Sequence, residues 1–188
     1  MTASPSFDQS FEDQFPRPHD NCYWVIPGRF LAGEYPGAYR AESARLRLQS
    51  YLAAGITDFL DLTHPDDGLM PYEAFLNEVS TLVDRQVTYQ RLPIYDMSVP
   101  DRQQMIAVLD TIDALLSRNR SVYIHCWGGI GRTGTVVGCH LVRHGLDGGA
   151  ALAQIATWWQ SVEKSVRSPR SPETDELVAM IHGWGVGE

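Results

Sequence analysis

The chain has 188 residues, 44% of them hydrophobic and 20% charged, with a formal net charge of −8. That length suits one ordinary folded domain with a core of its own. The acidic balance argues against nucleic acid or an anionic membrane as the main partner, because both are polyanions, and no apolar run reaches membrane-spanning length.

Met1 to Asp20 is rich in Ser, Pro, Phe and Asp. It has neither a basic start nor an apolar core, so it reads as a flexible tail and not as a secretory signal. Phe7, Phe11 and Phe15 recur at a spacing of four. That spacing suits a docking turn, and a loosely ordered arm is the simpler reading. Residues 21–188 read as one domain. Cys22, Cys126 and Cys139 are odd in number and widely spaced, which speaks against a disulfide framework and for a reducing compartment, the cytoplasm.

The chain next offers two strand-like runs, Tyr23 to Ile26 and Arg29 to Ala32, joined through Pro27-Gly28 as a hairpin. Ala38 to Ala54, stopped by Gly55, predicts a helix. Ile56 to Leu62 predicts a strand that runs into the polar loop Thr63 to Gly68. Loops at the carboxyl ends of strands face the ligand crevice of an open α/β sheet, so this loop is expected to rim a site; His64 in it reads as a surface residue. Pro71 is expected to open a helix to about Asp84, and Val87 to Ile94 a further strand. Pro100 is expected to open an amphipathic helix to Leu116, whose apolar face includes Met105, Val108, Leu109 and Ile112. After the strand Ser121 to Ile124, helices are expected over Thr133 to His144, Gly149 to Gln160 and Pro172 to Trp184, with a loop from Val162 to Ser171. Strands alternate with helices, so the fold class is α/β, a largely parallel central sheet flanked by helices.

The most informative stretch is His125-Cys126-Trp127-Gly128-Gly129-Ile130-Gly131-Arg132-Thr133-Gly134. It lies between a predicted strand and a predicted helix. Glycines let successive backbone N–H groups turn inward, and the following helix adds the positive end of its dipole. Arg132 can close the ring with a two-pronged grip on an anion. The same positive field would keep Cys126 as a thiolate. The stretch therefore reads as an anion cradle, formed by Trp127, Gly128, Gly129, Ile130, Gly131 and Arg132, with a nucleophile at its base.

His-Cys, five residues, then Arg-Thr-Gly resembles the signature loop of the cysteine-dependent protein tyrosine and dual-specificity phosphatases. Trp24-Val25, Pro27-Gly28 and Ala32 to Pro36 resemble the opening of small bacterial members. The resemblance covers about Asn21 to Trp184 and marks 21–188 as the phosphatase domain. It implies hydrolysis of phosphomonoesters through a cysteinyl-phosphate, with Cys126 as nucleophile and Arg132 on the phosphate. Thr133 would hydrogen-bond the cysteine sulfur and His125 would orient the loop. The general acid of the family lies in a loop upstream, where Pro93 to Asp101 is similar. Asp96, 30 positions before Cys126, is the candidate. Its rival Asp101 follows Pro100, where a carboxylate pairs with free N–H groups of a helix start and stays ionised.

Phosphotyrosine, with possible dual specificity, is the expected substrate. Relatives that act on phosphoinositides usually carry loop lysines, and Trp127 to Ile130 contains no Lys or Arg. One departure stands out. Ser168 to Glu176 resembles a stretch that in many relatives continues with a water-positioning glutamine, where this chain has Leu177.

The expected partner is a phosphorylated protein, with no nucleic acid, no membrane, no cofactor and no metal, and the chain is expected to act as a monomer. His140 and His144 stand i,i+4 as in some zinc sites, but no clear third ligand is visible, so they read as surface or core histidines. Cys22 and Cys139 read as packing residues, with a protective disulfide to Cys126 as the alternative. Lys164, Arg167 and Arg170 form a basic cluster that either steers an acidic substrate or is simply solvated. A phosphate-binding pseudophosphatase, a rhodanese-like sulfur transferase and an interaction module acting through the tail remain as alternative functions.

Overall fold

The computed structural model describes residues 14–188. Strand β1 (Cys22–Ile26) pairs antiparallel with β2 (Phe30–Gly33), turning through Gly28 at φ +68°. Three further strands, β3 (Asp58–Asp61), β4 (Thr88–Arg91) and β5 (Val122–His125), join in parallel. The order across the sheet is β1-β2-β5-β3-β4, so β5 is central and the single antiparallel pair lies at one edge.

The sequence of β5 explains its place. All four of its residues are buried. Val122 and Ile124 enter one core while Tyr123 enters the other, as the two-residue period of a strand covered on both faces requires. Helices α1 (Ala41–Ala53) and α2 (Glu73–Leu82) cover the Tyr123 face with Leu48, Tyr51, Leu76 and Val79. Helices α3 (Arg102–Ser117), α4 (Gly131–Arg143), α5 (Gly148–Trp159) and α6 (Asp175–His182) cover the Ile124 face, among others with Val108, Ile112, Val137, Ile155 and Ile181. Among the described residues no helix is long and apolar enough to cross a membrane.

Several boundaries differ from the sequence reading for identifiable reasons. Helix α3 begins at Arg102, not at Pro100, because Asp101 is its N-cap: extended at φ −68°, ψ 164°, it accepts the Gln104 N–H at 2.8 Å. Helix α2 begins at Glu73, two residues past Pro71. The expected loop from Val162 to Ser171 contains a short 3-10 helix, Glu163–Val166. Residues 14–20 are tied to the domain. Trp24 Nε1 donates to Phe15 O at 2.9 Å, and Arg17 Nη1 donates to Cys22 O at 3.1 Å and Ser161 O at 2.9 Å. Phe7, Phe11 and the rest of the expected tail before Gln14 lie outside the described residues.

Candidate active site

The chain leaves the sheet at His125, at the carboxyl end of the central strand, between β2 and β3. The loop that follows is held from outside by its carbonyl groups. Tyr35 N donates to Trp127 O at 3.0 Å, Lys164 Nζ to Gly128 O at 3.2 Å, and Ser171 Oγ to Ile130 O at 2.7 Å. With carbonyls drawn outward, the loop's N–H groups are free to face the opposite way, and Gly129 N donates to Cys126 Sγ at 3.3 Å. Gly129 is at φ +75°, and a Cβ there would lie 2.5 Å from the backbone carbon of Gly33. No other residue type fits this close approach to the end of β2.

Arg132 is 3% exposed, and its head is spread over three acceptors. Nη1 reaches Asp67 Oδ2 at 2.7 Å and Ile94 O at 2.9 Å, while Nη2 reaches Asp96 Oδ1 at 3.0 Å. Its Nε is buried without a hydrogen-bond partner. Cys126, Arg132 and Asp96 line one cavity of about 170 Å³, together with Trp127, Met97, Glu173 and Leu177. The Asp96 side chain is half exposed, and the next residue, Met97, is held at φ +54°. Such a conformation is uncommon for a non-glycine residue and shapes the turn that carries the carboxylate.

Asp67 was not singled out by the sequence. The expectation that the Thr63 to Gly68 loop rims the site was the available signal, and it stopped short of choosing between Asp66 and Asp67. His64 in that loop is not a free surface residue. Its Nδ1 accepts the Asp66 N–H at 3.2 Å, and its ring stacks on Tyr95 at 3.9 Å between centroids. The stack joins the loop bearing Asp67 to the loop bearing Asp96.

Below the cradle, His125 is fully buried with Tyr72 OH 2.7 Å from Nε2, and burial pushes its imidazole down to about 4. Thr133 Oγ1 is buried without a hydrogen-bond partner among the described residues, so the expected bond to the cysteine sulfur is not formed. Thr135, one turn in, returns its hydroxyl to Gly131 O at 2.8 Å. Leu177 lines the cavity with no polar group to offer. The nearby polar group is Glu173. A Cβ on Gly131 would lie 2.5 Å from its carboxylate, whose Oε2 is buried and unpartnered.

The remaining candidates separate from the cavity. Cys22 and Cys139 are buried free thiols, each pushed up to about 12 by burial, and Cys22 lies in the core on the other face of the sheet from Cys126. In the basic cluster, Lys164 is paired with Glu34 at 2.6 Å and Arg170 with Asp175 at 2.8 Å. His140 and His144 do meet a third group, Asp113 of α3.

A profile of the DSP-PTPase phosphatase domain of Swiss Army Knife proteins, PTP-SAK, matches residues 19–176. The mouse dual specificity protein phosphatase CDC14B is 27% identical over 132 residues, 64% of this chain but only 24% of that protein, so the chain spans about a quarter of this relative's length. Among solved structures, Tk-PTP in its active form is 24% identical, with a TM-score of 0.62 over 86% of this chain and 93% of that one. TpbA of P. aeruginosa, in complex with pTyr, is 20% identical, with a TM-score of 0.62 over 89% and 86%. PTPMT1 in complex with PI(5)P is 16% identical, with a TM-score of 0.61 over 85% and 92%.

Proposed function

The chain belongs to the PTP-SAK family of DSP-PTPase phosphatase domains, and from that premise we propose that it hydrolyses phosphotyrosine on protein substrates through a cysteinyl-phosphate at Cys126. The observation that carries this reading is the convergence of Cys126, Arg132 and Asp96 on a single cavity. A pseudophosphatase would not need all three. A sulfur transferase would not need the carboxylate or the arginine fork.

In this reading the phosphate enters the cradle and takes the unpartnered Nε of Arg132 together with Nη2, displacing Asp96 from the fork. Asp67 keeps Nη1 and so fixes the plane of the guanidinium. The Cys126 thiolate attacks phosphorus in line, and the loop N–H groups with Arg132 hold the charge on the equatorial oxygens. The S–P bond forms as the P–O bond to the leaving oxygen breaks, and Asp96 supplies the proton to that oxygen. Asp96 then takes a proton from the water that attacks the cysteinyl-phosphate, returning the thiolate and releasing phosphate. Glu173, at the wall where Leu177 offers nothing, is the polar group able to hold that water. His125, anchored by Tyr72, sets the height of the loop.

An aromatic substrate suits the mouth of the cavity. Trp127 is 56% exposed there, and a phenyl ring can lie against an indole face. Phenolate, with a pKa of about 10, also leaves more readily than a serine alkoxide. TpbA, similar in fold, is seen with pTyr. A thiol nucleophile suits a reducing compartment such as the cytoplasm.

A panel of phosphotyrosine peptides, phosphoserine peptides and phosphoinositide vesicles, each run against Cys126→Ser, tests the assignment. Preferential turnover of phosphotyrosine, lost in the variant, is the expected result. Preference for the lipid, or turnover unchanged in the variant, would refute it.

A further inference from the structure

At the far end of α4 from the phosphate cradle, two histidines and a carboxylate converge on one point. His140 lies in the last turn of α4, His144 is the residue that caps its C-terminus, and Asp113 faces them from α3. His144 Nε2 is 2.9 Å and His140 Nδ1 3.6 Å from the same oxygen, Asp113 Oδ1. His140 is 3% exposed, and its Nδ1 is buried with no hydrogen-bond partner, since 3.6 Å is too long for one. A buried imidazole nitrogen aimed at a carboxylate and a second imidazole without bonding either is an unmet ligand atom.

We propose that Asp113, His140 and His144 form a binding site for a single divalent transition-metal ion of the zinc type. Two imidazole nitrogens and one carboxylate oxygen are the donor set such ions take. Bonds of about 2.0–2.1 Å at tetrahedral angles place ligand atoms roughly 3.3 Å apart. The three ligand atoms here all lie within 4.8 Å of one another, and the two measured edges at Asp113 Oδ1 bracket that spacing.

The surroundings are arranged for it. Arg143 Nη1 holds the other oxygen, Asp113 Oδ2, at 3.0 Å, which turns Oδ1 toward the histidines. The same nitrogen is shared with Asp110 Oδ1 at 2.8 Å, so two carboxylates stand against one guanidinium and the cluster keeps a net negative charge for a cation. Asp113, His140 and His144 line an apolar groove of about 630 Å³ together with Val25, Ile26, Leu116 and Leu141, which gives an ion a way in. The ion would clamp α3 to α4. These are the helices that follow the Asp96 loop and the cradle, so the clamp ties together the elements that carry the two halves of the catalytic apparatus.

A cysteine thiolate can itself bind a metal ion, so the test uses full-length Cys126→Ser stripped with a chelator. Zn²⁺ is titrated by calorimetry, and Co²⁺ is followed by its visible ligand-field absorption. His144 and Asp113 are partly exposed, so His144→Ala and Asp113→Asn avoid the unfolding that a change at buried His140 could cause. One saturable Zn²⁺ site is expected, with a tetrahedral-type Co²⁺ spectrum and a melting temperature raised by Zn²⁺. Each variant should lose at least about tenfold in affinity and the thermal shift with it. No saturable uptake by the Cys126→Ser protein, or affinity in either variant undiminished from that of the Cys126→Ser parent, would overturn the site.

Discussion

Arg132 is the residue on which the two sides of the site meet. It is bound at once to Asp67, Asp96 and the Ile94 carbonyl, and only a planar fork can serve three directions. Arg132→Lys keeps the charge and loses the fork, so kcat/KM for an aryl phosphate should fall on the order of a hundredfold or more. Asp96 and Asp101 are five positions apart and do different work. Asp96→Asn should slow kcat by about 10²–10⁴ and remove the acid's contribution to the pH profile. Asp101→Ala should leave kcat alone and lower unfolding stability by about 1 kcal/mol, because its carboxylate caps α3. Equal effects of both changes on kcat would remove Asp96 from the mechanism. Cys126 and Arg132 were legible in the sequence because the cradle is contiguous. Asp67 was not, because it reaches Arg132 across 65 positions of chain, and nothing local distinguishes it from Asp66.

At the scale of elements, loops are held in register by single contacts between them. The His64–Tyr95 stack joins the loop carrying Asp67 to the loop carrying Asp96. Tyr95→Ala should lower kcat for phosphotyrosine peptide while leaving the melting temperature within a few degrees, since Tyr95 is 62% exposed. A loss of fold with no separate loss of kcat would make the stack merely structural. The segment after the 3-10 helix Glu163–Val166 presses Glu173 against Gly131 and Ser171 against Ile130 O. Glu173→Ala should slow the second chemical step, seen as a larger product burst followed by slower steady turnover; an unchanged burst would take Glu173 out of water positioning. Sequence periodicity found every main strand and helix, but boundaries shifted where side chains cap or tie the chain, as Asp101 does at α3. The His140–His144 spacing was visible too. Asp113 was not, because packing of α3 on α4, not sequence proximity, brings it there.

Across the whole molecule, the order β1-β2-β5-β3-β4 puts β5 at the centre, with the cradle at its carboxyl end and a separate core on each face. The largely parallel sheet flanked by helices was readable from the alternation of strands and helices; the strand order was not, because it is set by pairing between strands far apart in the chain. The fold also buries His125, whose imidazole is held down to about 4 against about 6.5 in an unfolded chain. The folded protein therefore binds that proton more weakly than the unfolded chain does. Stability from this group is fully present above about pH 6.5 and is lost as pH falls toward 4, by up to ~3 kcal/mol. Denaturant titrations at pH 7, 5 and 4 should show this fall, and His125→Gln should make it smaller. An equal fall in the variant would assign the acid sensitivity to other titrating groups instead.

The central claim is covalent chemistry at Cys126, and rapid-quench mass spectrometry with a phosphotyrosine peptide tests it most directly. The account expects a product burst accompanied by one phosphoryl group on Cys126, with neither in Cys126→Ser. Turnover with no phosphoryl group on Cys126, or undiminished turnover by Cys126→Ser, would contradict it.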